Sequence, residues 1–270
     1  MSVSVVERVG ETVAGGRFAD VHWFEEMGST NTWLADRVRA GRVGTAAAPD
    51  GMVCVTDHQS AGRGRLARTW VAPPGSALLF SVLIRPRGPV AHWQLLSVAM
   101  GIAVVETVRA LGAAEIGLKW PNDVVLPDDG RKLAGILAEA LPDHGAVIVG
   151  TGCNLARPSV VAPEVAERGV WLDELGVRVD AGELLGPLLV NFAARLDELD
   201  TDPGALLDRY RGLCSTIGRD VRVMLPGSDL LGRAVGVDGE GQLLIDPNPG
   251  DGGGPLVTVS AGDVVHVRTT

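Results

Sequence analysis

Residues 61–70, AGRGRLARTW, place three guanidinium groups, those of Arg63, Arg65 and Arg68, within six positions of a chain whose formal net charge is −9. Arginine presents a planar fork of donors that matches carboxylate and phosphate oxygens, and the glycines around it allow a loop to fold closely over such a ligand. Two polar segments follow downstream. KWPNDVV at 119–125 sets Lys119, Asn122 and Asp123 around Trp120 and Pro121, and GRKLAGILAEA at 130–140 presents Lys132 at the head of an apolar run in which Gly135 permits close approach of a ligand or another backbone. Lys119 and Lys132 are the only lysines among 24 basic residues. Under an arginine-favouring codon bias, a lysine persists where guanidinium cannot replace a slim ammonium on a flexible stem, so both are candidates for chemistry. Each segment also has a plain structural reading: a Trp-Pro can anchor a turn, and a lysine at a strand edge can serve as a solvated gatekeeper.

The rest of the composition narrows what the cations serve. The chain has 270 residues, 46% hydrophobic and 21% charged, enough for one large domain and a small one. With a sequence pI near 5.0, its surface as a whole repels nucleic acid and anionic lipid, so no DNA or membrane partner is expected and any anion must meet a local basic site. GRGRLA after an apolar run approaches a dinucleotide fingerprint, but RTWVAPPG breaks the helix that fingerprint requires, and no G-K-[ST] follows for a phosphate loop. Cys54, Cys153 and Cys214 are odd in number and far apart, which suits a reducing cytoplasm and neither a disulfide framework nor a metal site. The N-terminus lacks an apolar signal core, and LLSVAMGIAVV at 95–105 is too short to span a bilayer.

The elements that must position these residues can be read in outline. Ser29 or Thr30 is expected to cap a helix carrying Trp33, Leu34, Arg37 and Val38, with Gly41 as its stop. MVCVTDH at 52–58 and ALLFSVLIRP at 77–86 read as strands, which leaves the arginines on the loop between them. A buried helix is expected from His92 to Leu111, then strands in IGLKW, KLAGILAEA and AVIVGTG, then helical spacing over 180–213. After Cys214, DVRVMLP, LGRAVGVD, QLLID, LVTVS and VVHVRT are short strands between Gly- and Asp-rich turns such as GDGGG. The fold class is therefore α+β: a mixed, largely antiparallel sheet packed with helices, followed by a small β-barrel. The expected partition is an N-terminal extension over 1–20, a catalytic domain over 21–214 and the barrel over 215–270.

GSTN at 28–31, QSAGRGRLARTW at 59–70, KWPNDVV at 119–125, GRKLAGILAE at 130–139 and VGTGCNLA at 149–156, in that order and ahead of a small barrel, resemble the motifs of bacterial biotin protein ligases. The resemblance implies a class II synthetase-like catalytic domain with an SH3-like C-terminal barrel. It also implies an enzyme that joins biotin to the α-phosphate of ATP with Mg²⁺, then passes the biotinyl group to a lysine on the biotin carboxyl carrier domain of an acyl-CoA or pyruvate carboxylase. By the same resemblance, Ser29, Thr30 and Gln59 would bind biotin's ureido head, with Asn31, Arg63, Gly64, Arg65 and Gly135 completing its site. Lys132 would reach both the biotin carboxylate and the α-phosphate. Arg65, Arg68, Trp70, Asn122 and Asn154 would serve the nucleotide, Trp70 and Asn154 at the adenine. The acceptor amine, with an ordinary pKa of about 10.4, must lose a proton before attack, and Asp123 is the nearest motif carboxylate, although it can equally act as a structural acceptor.

Some members carry an N-terminal winged helix ahead of these motifs. With only about 20 residues in that place, a ligase without a repressor domain is expected here. A lipoate-type ligase and a non-catalytic biotin- or adenylate-binding regulator stay open beside the main reading.

Overall fold

Residues Ala77–Ile84 are buried without exception, as an unbroken apolar run requires of a strand covered on both faces. This strand, β3, lies in the middle of the larger of two sheets in the computed structural model, which describes residues 9–41, 48–225, 228–249, 254–260 and 262–266. The first eight residues of the expected extension, most of the GDGGG turn and the end of VVHVRT lie outside the described residues. The larger sheet has seven strands in the order β1-β2-β3-β7-β6-β5-β4: β1 (Val21–Met27), β2 (Val53–Gln59), β4 (Gly117–Lys119), β5 (Asp123–Val125), β6 (Lys132–Leu141) and β7 (Ala146–Asn154) join β3. Its pairings are antiparallel except that of β1 with β2, so the sheet is mixed as expected.

Two strands were not expected from sequence, β1 and β5. β1 is a half-exposed edge strand whose VHWFEEM lacks clean alternation, and β5 is three residues long and folds back on the expected β4 across a cis Trp120–Pro121 bond. The KWPND segment is thus the turn of a short hairpin at the far edge of the sheet.

One face of the sheet is covered by α2 (Leu95–Ala110) and α4 (Ala181–Thr201), with α5 (Pro203–Leu213) beside them and a short α3 (Pro163–Arg168) in the connection after β7. α2 is apolar around most of its circumference and is buried accordingly, among α4 and the sheet. The stretch Val90–Ala110 has the length and apolar composition of a membrane span, but 67% of its most apolar window is buried inside the protein. α4 opens on a capping box between Asp180 and Glu183, and Phe192 on its buried side stacks on Phe18 at 5.5 Å. Val9, Val13 and Phe18 belong to this same core.

The opposite face is covered at one end by α1 (Thr30–Ala40), whose Leu34, Ala35 and Val38 pack on Cys54, Leu83 and Ile148. Ser29 occupies the N-cap position but makes no side-chain cap. A side chain from the end of β2 substitutes for it: Gln59 Oε1 accepts from the Thr30 N–H at 2.9 Å, which ties the start of the helix to the sheet.

Five further strands, β8 (Asp220–Leu225), β9 (Ser228–Val237), β10 (Leu243–Asp246), β11 (Val257–Val259) and β12 (Asp263–His266), form an antiparallel sheet in the order β11-β10-β9-β8-β12. It is bound to the first sheet through Trp120. The indole Nε1 donates to the Gly241 carbonyl at 3.0 Å, and the Trp120 N–H donates to Thr216 Oγ1 at 3.1 Å. Thr216 Oγ1 lies 3.2 Å from His266 Nε2 on β12.

Burial, with help from Lys119 and Arg219, pushes the His266 imidazole down to about 4. Because the folded value is depressed, the neutral ring is the stable partner in the native state; its contribution is complete above the unfolded value of about 6.5 and is lost as pH falls through 4. Urea denaturation should show native stability declining between pH 6.5 and 4, with a shallower decline in His266→Gln. Equal slopes in the two proteins would show that His266 is not the group responsible.

Candidate functional site

Between the N-terminus of α1, the arginine loop and strands β6 and β7, the second face of the large sheet holds a cavity that is partly open to solvent. Its floor is made by an absence of side chains. Gly135 of β6 and Gly152 of β7 are direct partners across the ladder, and two side chains lie over them. A Cβ at Gly152 would come within 2.5 Å of Trp70 Cε2, and one at Gly135 within 2.7 Å of Lys132 Nζ and 3.2 Å of Trp70 Cζ3. The paired glycines therefore let the Trp70 ring and the Lys132 stem lie directly on the backbone.

The arginine loop reaches the cavity by a tight turn. Gly64 N–H donates to the Arg68 carbonyl at 2.7 Å, Arg63 bridges Thr69, and Arg65–Ala67 form a single 3-10 turn. The left-handed positions at its tip are Leu66 and Ala67, with φ of 55° and 58°, so the strain falls on residues that resist it and the flanking glycines do not absorb it. Gly62 serves a different need: a Cβ there would collide with the Trp70 carbonyl.

Each cation of the site meets an acceptor from the β5–β6 side. Arg63 pairs with Glu139, Arg65 NH1 donates to Asn122 Oδ1 at 3.1 Å, and Lys132 Nζ lies 2.6 Å from Asp123 Oδ1. Asn122 is fixed in turn by donating its amide to the Ile136 carbonyl at 2.7 Å. Lys132 Nζ also stands 5.4 Å from the Trp70 ring centroid, within cation–π range. Beyond Glu139, Asn31 links that carboxylate to Ser81, and Thr30 Oγ1 approaches Ser81 Oγ at 2.6 Å and Gln59 Oε1 at 3.2 Å.

Of the residues expected from sequence, Ser29, Thr30, Asn31, Gln59, Arg63, Gly64, Arg65, Trp70, Asn122, Lys132 and Gly135 line this cavity together. Asp123, Arg68 and Asn154 do not form its wall. Asp123 acts through its pair with Lys132, and Arg68 contributes its carbonyl to the loop turn. Asn154 Nδ2 bonds the carbonyls of Lys132 at 3.2 Å and Val170 at 3.0 Å, which leaves Oδ1 as the atom it can offer a ligand. Sequence reasoning missed Ser81, Glu139, Phe80, Thr151, Gly150 and Gly152. Glu139 and the two glycines stood inside quoted motifs, whereas Ser81, fully buried in an apolar strand, was the polar exception that marked a site.

Two lining groups, Trp70 Nε1 and Thr151 Oγ1, are buried with no hydrogen-bond partner, so polar capacity remains for a ligand to use. Among the described residues no group of three or more His, Cys, Asp or Glu side chains is arranged to hold a metal. The three cysteines are buried, and burial pushes Cys54 and Cys153 up to about 12, which removes both as nucleophiles at neutral pH. A second groove shares Arg65, Asn122, Ile136 and Leu137 with the first and runs between Trp120–Pro121, Ser97 and the Glu240–Gly241 turn of the small sheet.

Comparison with known proteins agrees with this geometry. Residues 23–154 match the Biotin/lipoate A/B protein ligase family, and residues 216–267 match the biotin protein ligase C terminal domain. The chain is 40% identical over 262 residues to a biotin--[acetyl-CoA-carboxylase] ligase of Mycobacterium tuberculosis, covering 94% of this chain and 92% of the relative. It is 34% identical over 223 residues to a bifunctional ligase/repressor of Escherichia coli, covering 81% of this chain and 66% of that protein. A biotin protein ligase from Aquifex aeolicus, solved in complex with biotin and ATP, superposes with a TM-score of 0.75 at 26% identity, covering 93% of this chain and 100% of that one.

The glycine floor makes a direct prediction. Gly152→Ala places a methyl group against the Trp70 indole and should lower stability in urea by about 1–3 kcal/mol, the usual cost of overpacking. An unchanged midpoint would mean that the ring is not packed on the strand.

Proposed function

The chain belongs to the biotin/lipoate A/B protein ligase family, on its biotin protein ligase branch, and from that premise we propose the roles by which its cavity carries out ATP-dependent biotinylation. The observation that carries the reading is one cavity with two chemistries: the hydroxyl and amide groups of Thr30 and Gln59, and the cationic groups of Arg63, Arg65 and Lys132. A ureido ring with a carboxylate tail needs both, since its head offers one strong acceptor and two donors and its tail carries a negative charge.

In the first step a biotin carboxylate oxygen bonds to the α-phosphorus of ATP while the bond from that phosphorus to the bridging oxygen breaks and pyrophosphate leaves. Two anions must meet, and their repulsion is offset by fixed cations. Lys132 supplies a compact charge to both reactants from a stem that Gly135 admits; a planar, forked guanidinium is not a substitute for such a point charge. Its pairing with Asp123 uses one of three donors and aims the ammonium. Arg63 and Arg65 close over the tail and the phosphate. Mg²⁺ arriving as part of the ATP substrate would offset charge on the leaving pyrophosphate. Adenine packs against Trp70, and the free Asn154 Oδ1 suits its exocyclic amino group.

In the second step an acceptor lysine amine attacks the acyl carbonyl, AMP leaves, and the proton passes to a base. Asp123 holds Lys132 through Oδ1 and has Oδ2 to offer for that proton. The acceptor is the biotin carboxyl carrier domain of an acyl-CoA or pyruvate carboxylase, and the reducing cytoplasm is the compartment that three free thiols suit.

ATP–pyrophosphate exchange with biotin and with lipoate, run side by side, tests the reading. Exchange should require biotin; exchange with lipoate alone would overturn the assignment. Lys132→Gln should lose exchange by about 10²–10³-fold with an unchanged denaturation midpoint, because one fixed charge in the transition state is removed. A variant that retained exchange would displace Lys132 from the chemistry.

A further inference from the structure

A line of polar side chains runs from the arginine loop into the cavity wall: Glu139, Asn31, Ser81, Thr30 and Gln59. Asn31, Ser81 and Thr30 are at most 4% exposed, so each hydrogen atom in the line must have a definite place. The order can be worked out from its fixed ends.

Asn31 Nδ2 lies 2.6 Å from Glu139 Oε2 and 3.3 Å from the Leu137 carbonyl. A carboxylate facing the Arg63 guanidinium and a backbone carbonyl are acceptors only, so together they hold the amino side of the amide and turn Oδ1 the other way. Gly150 makes room for it, since a Cβ there would overlap Asn31 Oδ1. Oδ1 can only accept, so Ser81 Oγ, 2.6 Å away, must donate to it. Ser81 has one proton. The 2.6 Å contact between Thr30 Oγ1 and Ser81 Oγ therefore takes its proton from Thr30, and the 3.2 Å approach of Thr30 Oγ1 to Gln59 Oε1 is at most a longer branch of it. Gln59 is fixed from its own side, because Oε1 accepts the Thr30 N–H and Nε2 is left to donate.

What the line then offers a ligand is one acceptor, the lone pairs of Thr30 Oγ1, beside one donor, the Gln59 amino group. A cyclic urea offers the complement, an N–H beside a C=O. We propose that the Glu139 carboxylate, which touches no part of the urea, sets this proton order and so makes the cavity select a cyclic urea over a ring of the same shape with reversed hydrogen-bonding sense. Glu139 is a positioning residue, and the proposal rests on the reading that Thr30 and Gln59 face the biotin head. A neutral amide at 139 can turn either of its ends to Asn31. The Leu137 contact is then the longer and weaker hold on the amide, and the whole line is free to reverse.

The test compares biotin with 2-iminobiotin, whose cyclic guanidinium is of similar shape but has no acceptor, in ATP–pyrophosphate exchange. The native protein should strongly prefer biotin. In Glu139→Gln the KM for biotin should rise about tenfold with kcat much less affected, and the biotin-to-iminobiotin ratio of kcat/KM should fall about tenfold, the scale of one hydrogen bond to a charged group. Ser81→Ala interrupts the same line without touching Glu139 or Arg63 and should lose selectivity in the same way, which covers the case in which Glu139→Gln does not fold. Arg63→Met removes the other partner of Glu139 and should raise KM while leaving the ratio intact. Selectivity kept within about twofold in a folded Glu139→Gln or Ser81→Ala protein, or lost equally in Arg63→Met, would overturn the proposal. Absence of biotin exchange in the native protein would instead sink the biotin reading itself.

Discussion

Three cations share one cavity wall, and each is held by an acceptor from the same region of the sheet: Arg63 by Glu139, Arg65 by Asn122 and Lys132 by Asp123. Like charges in a partly buried site repel strongly unless countercharges or dipoles stand beside them. Strand β6 and the hairpin next to it therefore do more than continue a ladder. They carry the acceptors that let a basic site exist within an acidic chain, and they aim each donor toward the space between.

The same strands supply the floor. Because Gly135 and Gly152 face one another in the ladder, Trp70 and Lys132 can lie against bare backbone at distances that any Cβ would forbid. The opposite face of the sheet holds the main apolar core with α2 and α4, so rigidity and chemistry are separated by one layer of backbone. Precise placement of a site is easiest on such supported strands.

Trp120 of the hairpin is one of the side chains that tie the small C-terminal sheet to this region, beside Arg219, which donates to the Pro127 carbonyl at 2.7 Å. Trp120 bonds Gly241 and Thr216 at the turn whose next residues hold Arg65 and Lys132, so the second sheet braces the hairpin from behind. The groove between the two sheets opens beside the cavity and shares four of its residues.

Much of this was written in the order of residues. Long apolar runs such as ALLFSVLI and LLSVAMGIAVV identified the central strand and the core helix, because burial on all sides leaves a composition that solvent-facing elements lack. The motif residues from Ser29 to Lys132 carried the family resemblance, and most of them line one cavity. What sequence could not reveal was pairing across distance. That Asn31 meets Glu139, 108 positions away, that Gly135 faces Gly152, and that Gln59 rather than Ser29 caps the first helix are consequences of strand register, which local periodicity does not encode. The sequence by itself determined which chemical groups are present; only the tertiary structure decided which donor faces which acceptor, because that depends on the ladder that brings the strands side by side.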